Sequence, residues 1–180
     1  MFIKNYNKFL ESKSGKLYEY GCVMVYLDMP NWESITSYID EEDLYKPENK
    51  RYGLETEPHL TVLYGLHSDV NDQDVLNVFK DVKSSDIQLD ILGIDIFENK
   101  QFDVVKMNVK SEILNHLNAE LKKLPHTSDY PDYKPHITIA YLLPGRGKKY
   151  IEPDYKFKFN QVKKVIYSKA NGQKIEMEIN

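Results

Sequence analysis

The sequence predicts an α+β fold built from two pseudo-symmetric lobes, and three observations carry that prediction. Strand-like and helix-like segments are mixed along the chain. A unit of strand, helix, loop and strand occurs twice. Each copy closes on the same short pattern, Pro58-His59-Leu60-Thr61 in the first and Pro135-His136-Ile137-Thr138 in the second.

Taken in order, Tyr20 to Leu27 reads as an apolar strand, and Asp28-Met29-Pro30-Asn31 supplies a turn and a helix cap. Trp32, Ile35, Thr36 and Ile39 recur at the spacing of one helical face. Residues 40–58 are polar, contain Pro47 and Gly53 and show no period, which predicts a loop long enough to act as a lid or a binding loop. A strand follows at 59–64. Asn71 and Asp74 cap a helix with Val75, Val78, Phe79 and Val82 on its buried side. Ile87, Leu89 and Ile91 alternate as in a strand. Phe102 to Val109 forms another, with Val105, Met107 and Val109 on one face. Ser111 caps a helix striped by Ile113, Leu114, Leu117, Leu121 and Leu124 and ended by Pro125. A strand at 136–141 precedes the basic stretch Pro144-Gly-Arg-Gly-Lys-Lys149. Val162–Ser168 and Lys174–Ile179 flank Asn171-Gly172, a hairpin signal because both residues tolerate positive φ.

Length and composition set outer bounds. A chain of 180 residues suits a single domain, 1–180, in which two lobes share the core. The sequence has no apolar run near the ~20 residues that span a bilayer, and its first residues lack the pattern of a secretory signal. Cys22 is the only cysteine, so neither an intrachain disulfide nor a cysteine-based zinc site can form, in keeping with a cytoplasmic location. A net charge of −4 argues against long DNA or RNA as the partner, since such binding draws on many cation–phosphate contacts. A small phosphate ligand in a local pocket is compatible with it.

The duplicated motif carries the chemistry. Side chains alternate along a strand, so His59 and Thr61 share one face, as do His136 and Thr138. Two facing copies would bring two imidazoles and two hydroxyls to one cleft. Phosphodiester cleavage needs one group to take a proton from the attacking oxygen and one to protonate the leaving oxygen, and hydroxyls can donate to the non-bridging oxygens. The further histidines fit this pattern less well: His126, in Pro125-His126-Thr127-Ser128, lies in a polar loop, and His67 and His116 fall in a loop and on the polar side of a helix. Cys22, within an apolar strand, reads as an inert buried thiol. No His-x-x-x-His or cysteine pair offers metal ligands at the usual spacings, so no metal and no cofactor is expected.

At the paired motifs the sequence resembles the two-histidine (2H) phosphoesterase superfamily, whose signature is two His-hydrophobic-Thr/Ser motifs in a duplicated α+β fold with antiparallel or mixed sheets facing a central cleft. The stretches Pro58–Leu66, Leu117–Leu124 and Tyr130–Tyr141 resemble phage phosphodiesterases that degrade the cyclic oligonucleotide signals of CBASS, a bacterial defence. The likeness runs from about Tyr20 to the C-terminus and leaves the first nineteen residues and 40–56 without a counterpart. It implies metal-independent cleavage of 3′–5′ bonds in cyclic di- and trinucleotides such as cGAMP, with the ribose 2′-hydroxyl attacking phosphorus, in the host cytoplasm. His59, Thr61, His136 and Thr138 match the catalytic motifs residue by residue. Tyr20, Phe97 and Tyr141 are the candidates for stacking on substrate bases.

Two alternatives stay open on the sequence. The same chemistry could serve RNA ends bearing 2′,3′-cyclic phosphates, which would favour a more basic groove than Arg146 to Lys149 offers. A non-catalytic nucleotide sponge would not require two proton-transfer groups.

Overall fold

The computed structural model describes residues 20–46, 52–128 and 132–179. Pro47 of the long loop and Tyr130 of the last resembling stretch lie outside them. The strands are β1 (Gly21–Leu27), β2 (His59–Leu66), β3 (Leu89–Glu98), β4 (Asp103–Lys110), β5 (His136–Leu142), β6 (Phe157–Phe159), β7 (Val162–Ser168) and β8 (Lys174–Met177); the helices are α1 (Trp32–Thr36), α2 (Asp72–Phe79) and α3 (Glu112–Leu121). All eight strands join one curled sheet in the order β6-β3-β4-β5-β2-β1-β7-β8, with antiparallel pairing throughout. The expected α+β fold is present, and its two lobes are the two halves of that sheet. Among the described residues no helix is long and apolar enough to cross a membrane.

The halves meet at β2 and β5, where Leu60 stands opposite Ile137. A pseudo-twofold axis at this seam relates β1-α1-β2 to β4-α3-β5. Each half then takes a strand from beyond the other's motif strand: β3 follows β2 but pairs with β4, while β7, after β5 and the short β6, pairs with β1. The symmetry extends to single bonds. Leu27 N–H donates to Pro58 O at 2.9 Å, and Val109 N–H donates to Pro135 O at 3.1 Å. Alternation sends Val23, Val25, Leu60, Val62, Val105, Met107, Ile137 and Ile139 to the back of the sheet, where they form the main core with Leu114, Leu117 and Leu121 of α3 and Val75 and Phe79 of α2. The opposite face carries the motifs.

Asn71 and Ser111 make the expected caps, Asp74 adds no cap bond beside Asn71, and Asn31 occupies the cap position of α1 without a side-chain bond. Asn71 accepts from Gln73 N–H at 2.8 Å, and Ser111 accepts from Leu114 N–H at 3.5 Å. The helix α3 ends at Leu121, short of Pro125. The described parts of the 40–58 segment, 40–46 and 52–58, are paired to the sheet. Where β2 and β5 diverge, those parts line β5: Tyr45 N–H donates to Tyr141 O, Tyr141 N–H to Gly53 O, and Glu55 N–H to Ile139 O, at 2.8–2.9 Å. On the other side of the seam, Thr127 N–H donates to Gly65 O at 2.9 Å. Gly65, at φ 116°, allows this approach, because a Cβ there would lie 1.9 Å from Thr127 O.

Candidate active site

Both motifs sit at the seam. Continuing the antiparallel register from Leu60 opposite Ile137 sets His59 across from Thr138 and Thr61 across from His136. Each histidine therefore faces the other motif's threonine, and the four side chains form a diagonal quartet on the face away from the core. The outer neighbours are Tyr26 opposite His59 and Met24 opposite Thr61 on β1, and Asn108 opposite His136 and Lys106 opposite Thr138 on β4. A β-bulge follows each motif. Val62 is the extra residue in β2 and Ile139 in β5. The carbonyls so released are used: Val62 O accepts from the buried Asn118 Nδ2 at 2.7 Å, and Ile139 O from Glu55 N–H. Bulges beside a site re-aim the strand, and these two are pinned from α3 and from the 53–55 segment.

The imidazoles are oriented alike. His59 Nδ1 lies 2.9 Å from Glu57 O, and His136 Nδ1 lies 2.9 Å from Lys134 O. A carbonyl can only accept, so each Nδ1 carries a proton and each Nε2 is left to take or give one at the open face. Tyr26 covers the His59 ring at 5.4 Å, and Phe97 meets the His136 ring edge to face at 5.2 Å. Burial pushes the His136 imidazole down to about 4, against the bond to Lys134 O, and the nearby charges of Lys106 and His59 act in the same direction as burial. That imidazole is neutral at physiological pH. Thr138 is buried at 5% exposure. The Thr61 backbone is fixed by Tyr133, whose hydroxyl donates to Thr61 O at 3.0 Å. Cys22 lies against Thr61, and burial raises its thiol to about 12, which leaves it inert as a nucleophile.

The aromatic candidates separate. Phe97 is 42% exposed and borders His136. Tyr20 is half-buried beyond the far end of β2, beside Tyr64 and His67. Tyr141 is corrected to a packing residue: it is 2% exposed, with Tyr52 and Phe102 against its ring, in a second cluster shared with Tyr45 and Val104. The basic stretch is also committed elsewhere. Arg146 and Lys149 lie 3.7 and 2.7 Å from the buried Asp43 carboxylate, and Lys148 lies 3.1 Å from Glu98. His126 bonds Leu124 O through Nδ1 at 2.9 Å, just as the motif histidines bond their own carbonyls, so this local feature does not mark a site. Sequence reasoning missed Lys106, Asn108 and Tyr26. The signal for the first two was present, since they alternate with Val105, Met107 and Val109 and must face the other way.

This arrangement defines a two-histidine phosphoesterase. A family model described as the 2′-5′ RNA ligase superfamily matches residues 30–164, three quarters of the chain. The protein belongs to that superfamily and is a phosphodiesterase. Its fold is similar to that of Usb1 from Kluyveromyces marxianus, with a TM-score of 0.58 at 8% identity over 89% of this chain and 98% of that one. A second structure of that protein, with uridine monophosphate, gives a TM-score of 0.51 at 8% identity over 89% and 99%. LigT from E. coli, complexed with 3′-AMP, gives 0.51 at 13% identity over 90% and 97%. Identities this low speak for the fold alone. No curated protein sequence matches the chain.

Proposed function

We propose that the protein cleaves the 3′–5′ bonds of cyclic oligonucleotide immune signals, cyclic di- and trinucleotides, without a metal, and so counteracts a bacterial CBASS defence. The diagonal quartet carries this reading. A phosphate resting over the seam lies between the two Nε2 atoms, within reach of both threonines. One imidazole removes the proton of the ribose 2′-hydroxyl, whose oxygen attacks phosphorus. The other protonates the departing 5′-oxygen, giving a 2′,3′-cyclic phosphate and a free 5′-hydroxyl. Thr61 and Thr138 donate to the non-bridging oxygens, where charge gathers in the transition state. The small substrate is supported by the commitment of Arg146, Lys148 and Lys149 to carboxylates, which leaves that stretch poorly suited to a long phosphate chain. Phe97, the exposed aromatic ring beside His136, is the surface we assign to a substrate base.

A second reading, cleavage of 2′,3′-cyclic phosphates at RNA ends, is favoured by the mononucleotides named in the structures of the two fold relatives. One experiment separates them. The protein is incubated in excess EDTA with cyclic di- and trinucleotides and with an RNA ending in a 2′,3′-cyclic phosphate. Opening of the cyclic oligonucleotides supports the first reading, turnover of the RNA end alone supports the second, and activity that needs an added divalent ion contradicts both.

A further inference from the structure

On the face that carries both motifs, β4 contributes a lysine that the fold does not require there. Lys106 is 2% exposed and is the only buried lysine or arginine among the described residues. It stands across from Thr138. Its Nζ donates to Asn108 Oδ1 at 2.5 Å, lies 3.6 Å from the Asp95 carboxylate and sits 4.2 Å from the centre of the Phe97 ring. Asn108 in turn stands across from His136, and Phe97 packs on the His136 ring. The ammonium thus meets the aromatic ring that packs on His136, and its amide partner is the cross-strand neighbour of that histidine.

The pseudo-twofold axis supplies an internal control. Met24 pairs with Thr61 as Lys106 pairs with Thr138, and Ile166 pairs with Met24 as Asp95 pairs with Lys106. Lobe one therefore packs methionine and isoleucine, 4% and 7% exposed, where lobe two holds an ion pair. Apolar side chains fill the equivalent site, and a desolvated ammonium costs stability that they do not. The charge needs a reason other than packing.

We propose that Lys106 is a positioning residue that makes the two motif histidines unequal, its charge biasing His136 toward starting the reaction as proton acceptor and leaving His59 as donor. The role assignment rests on the phosphodiesterase reading above. The charged groups around His136 are Lys106 on β4, Asp95 on β3, His59 on β2 and Lys134 on the approach to β5. Around His59 they are Glu57, which is paired with Lys163 at 2.9 Å, and Lys164 over the Tyr26 ring. Each histidine has a carboxylate and lysines nearby, but the Glu57–Lys163 pair near His59 is solvent-exposed, whereas the ammonium beside His136 is buried. The buried ammonium favours a neutral ring on His136.

The test is an NMR titration of the His136 ring in the free protein, with K106M, K106R and D95N. K106M copies Met24 and leaves the Asp95 carboxylate uncompensated, so the His136 midpoint should rise by about one pH unit. K106R should hold it within a few tenths of a unit. D95N removes the counter-charge at a half-exposed position and should move the midpoint the other way, so the sign is decided even if K106M does not fold. Midpoints that stay put, or that move together in K106M and D95N, overturn the coupling. The role is tested by kcat/KM on a cyclic dinucleotide, whose acid limb should follow the His136 midpoint across the variants. A limb that ignores the midpoint removes His136 as acceptor. If the wild type opens no diester, the phosphodiesterase reading and the role assignment fall together, while the titration still decides the coupling.

Discussion

Replacing His136 with glutamine should flatten the acid dependence of folding stability. The ring titrates at 6.5 when exposed and at about 4 in the fold, because burial disfavours its charged form. The folded value is the lower one, so the unfolded chain takes up this proton first as pH falls. Stability is therefore lost from about pH 6.5 downward and stops changing, for this group, below about 4. Full separation of the two values corresponds to roughly 3 kcal/mol, and solvent reaching one edge of the half-buried ring reduces that to about 1–2 kcal/mol. Urea unfolding of the wild type and of His136→Gln at pH 7 and pH 4.5 isolates the effect, since the carboxylates titrate alike in both proteins and cancel. The wild type should lose about 1–2 kcal/mol more than the variant over that interval. Parallel losses would show that the imidazole is not held neutral, and its part as a ready proton acceptor would have to be abandoned.

Three further outcomes are expected. His59→Ala and His136→Ala should each lower turnover by ~10²–10⁴-fold with circular dichroism unchanged; a folded variant with near-native turnover removes that histidine from the chemistry. Thr61→Val combined with Thr138→Val should depress kcat more than it raises KM, and the reverse pattern would make the hydroxyls ground-state anchors. Asn118→Ala strips the Val62 bulge carbonyl of its buried donor and should cost about 1–3 kcal/mol in urea unfolding, whereas a loss below a few tenths would mean that the bond adds nothing.

The sequence revealed features that depend on local periodicity and obscured those that depend on distant pairing. The His-x-Thr duplication, the core faces of β1, β4 and α3 and the Asn171-Gly172 turn were legible because each is written in residues a few positions apart. The full length of β3 was not, since a bulge at Leu92 moves the apolar phase from Leu89 and Ile91 to Ile94 and Ile96; Gly93 has φ 136°, and Asp95 is a partner to Lys106. The 40–58 segment looked like a free loop because its pairing with β5 runs through backbone atoms of residues more than eighty positions away, which leave no side-chain pattern. Tyr141 is a stacking candidate on the family resemblance, with no local signal of its burial. The aromatic cluster that buries it draws on Tyr45 and Tyr52, and no local signal places them there. Lys106 was hidden by the opposite effect: the apolar half of β4 was read for the core, and its polar half acquires meaning only once register sets it beside β5.

The central claim is that the motif pair drives attack by the substrate's own 2′-hydroxyl, already held beside phosphorus. The direct test is mass-spectrometric product analysis on a 3′–5′ cyclic ribodinucleotide and on its 2′-deoxy analogue, at equal occupancy and in chelator. The ribonucleotide should open through a 2′,3′-cyclic phosphate, and the deoxy analogue should bind and remain intact. Comparable cleavage of the deoxy analogue would mean that water attacks directly, and the roles given to His59 and His136 would be contradicted.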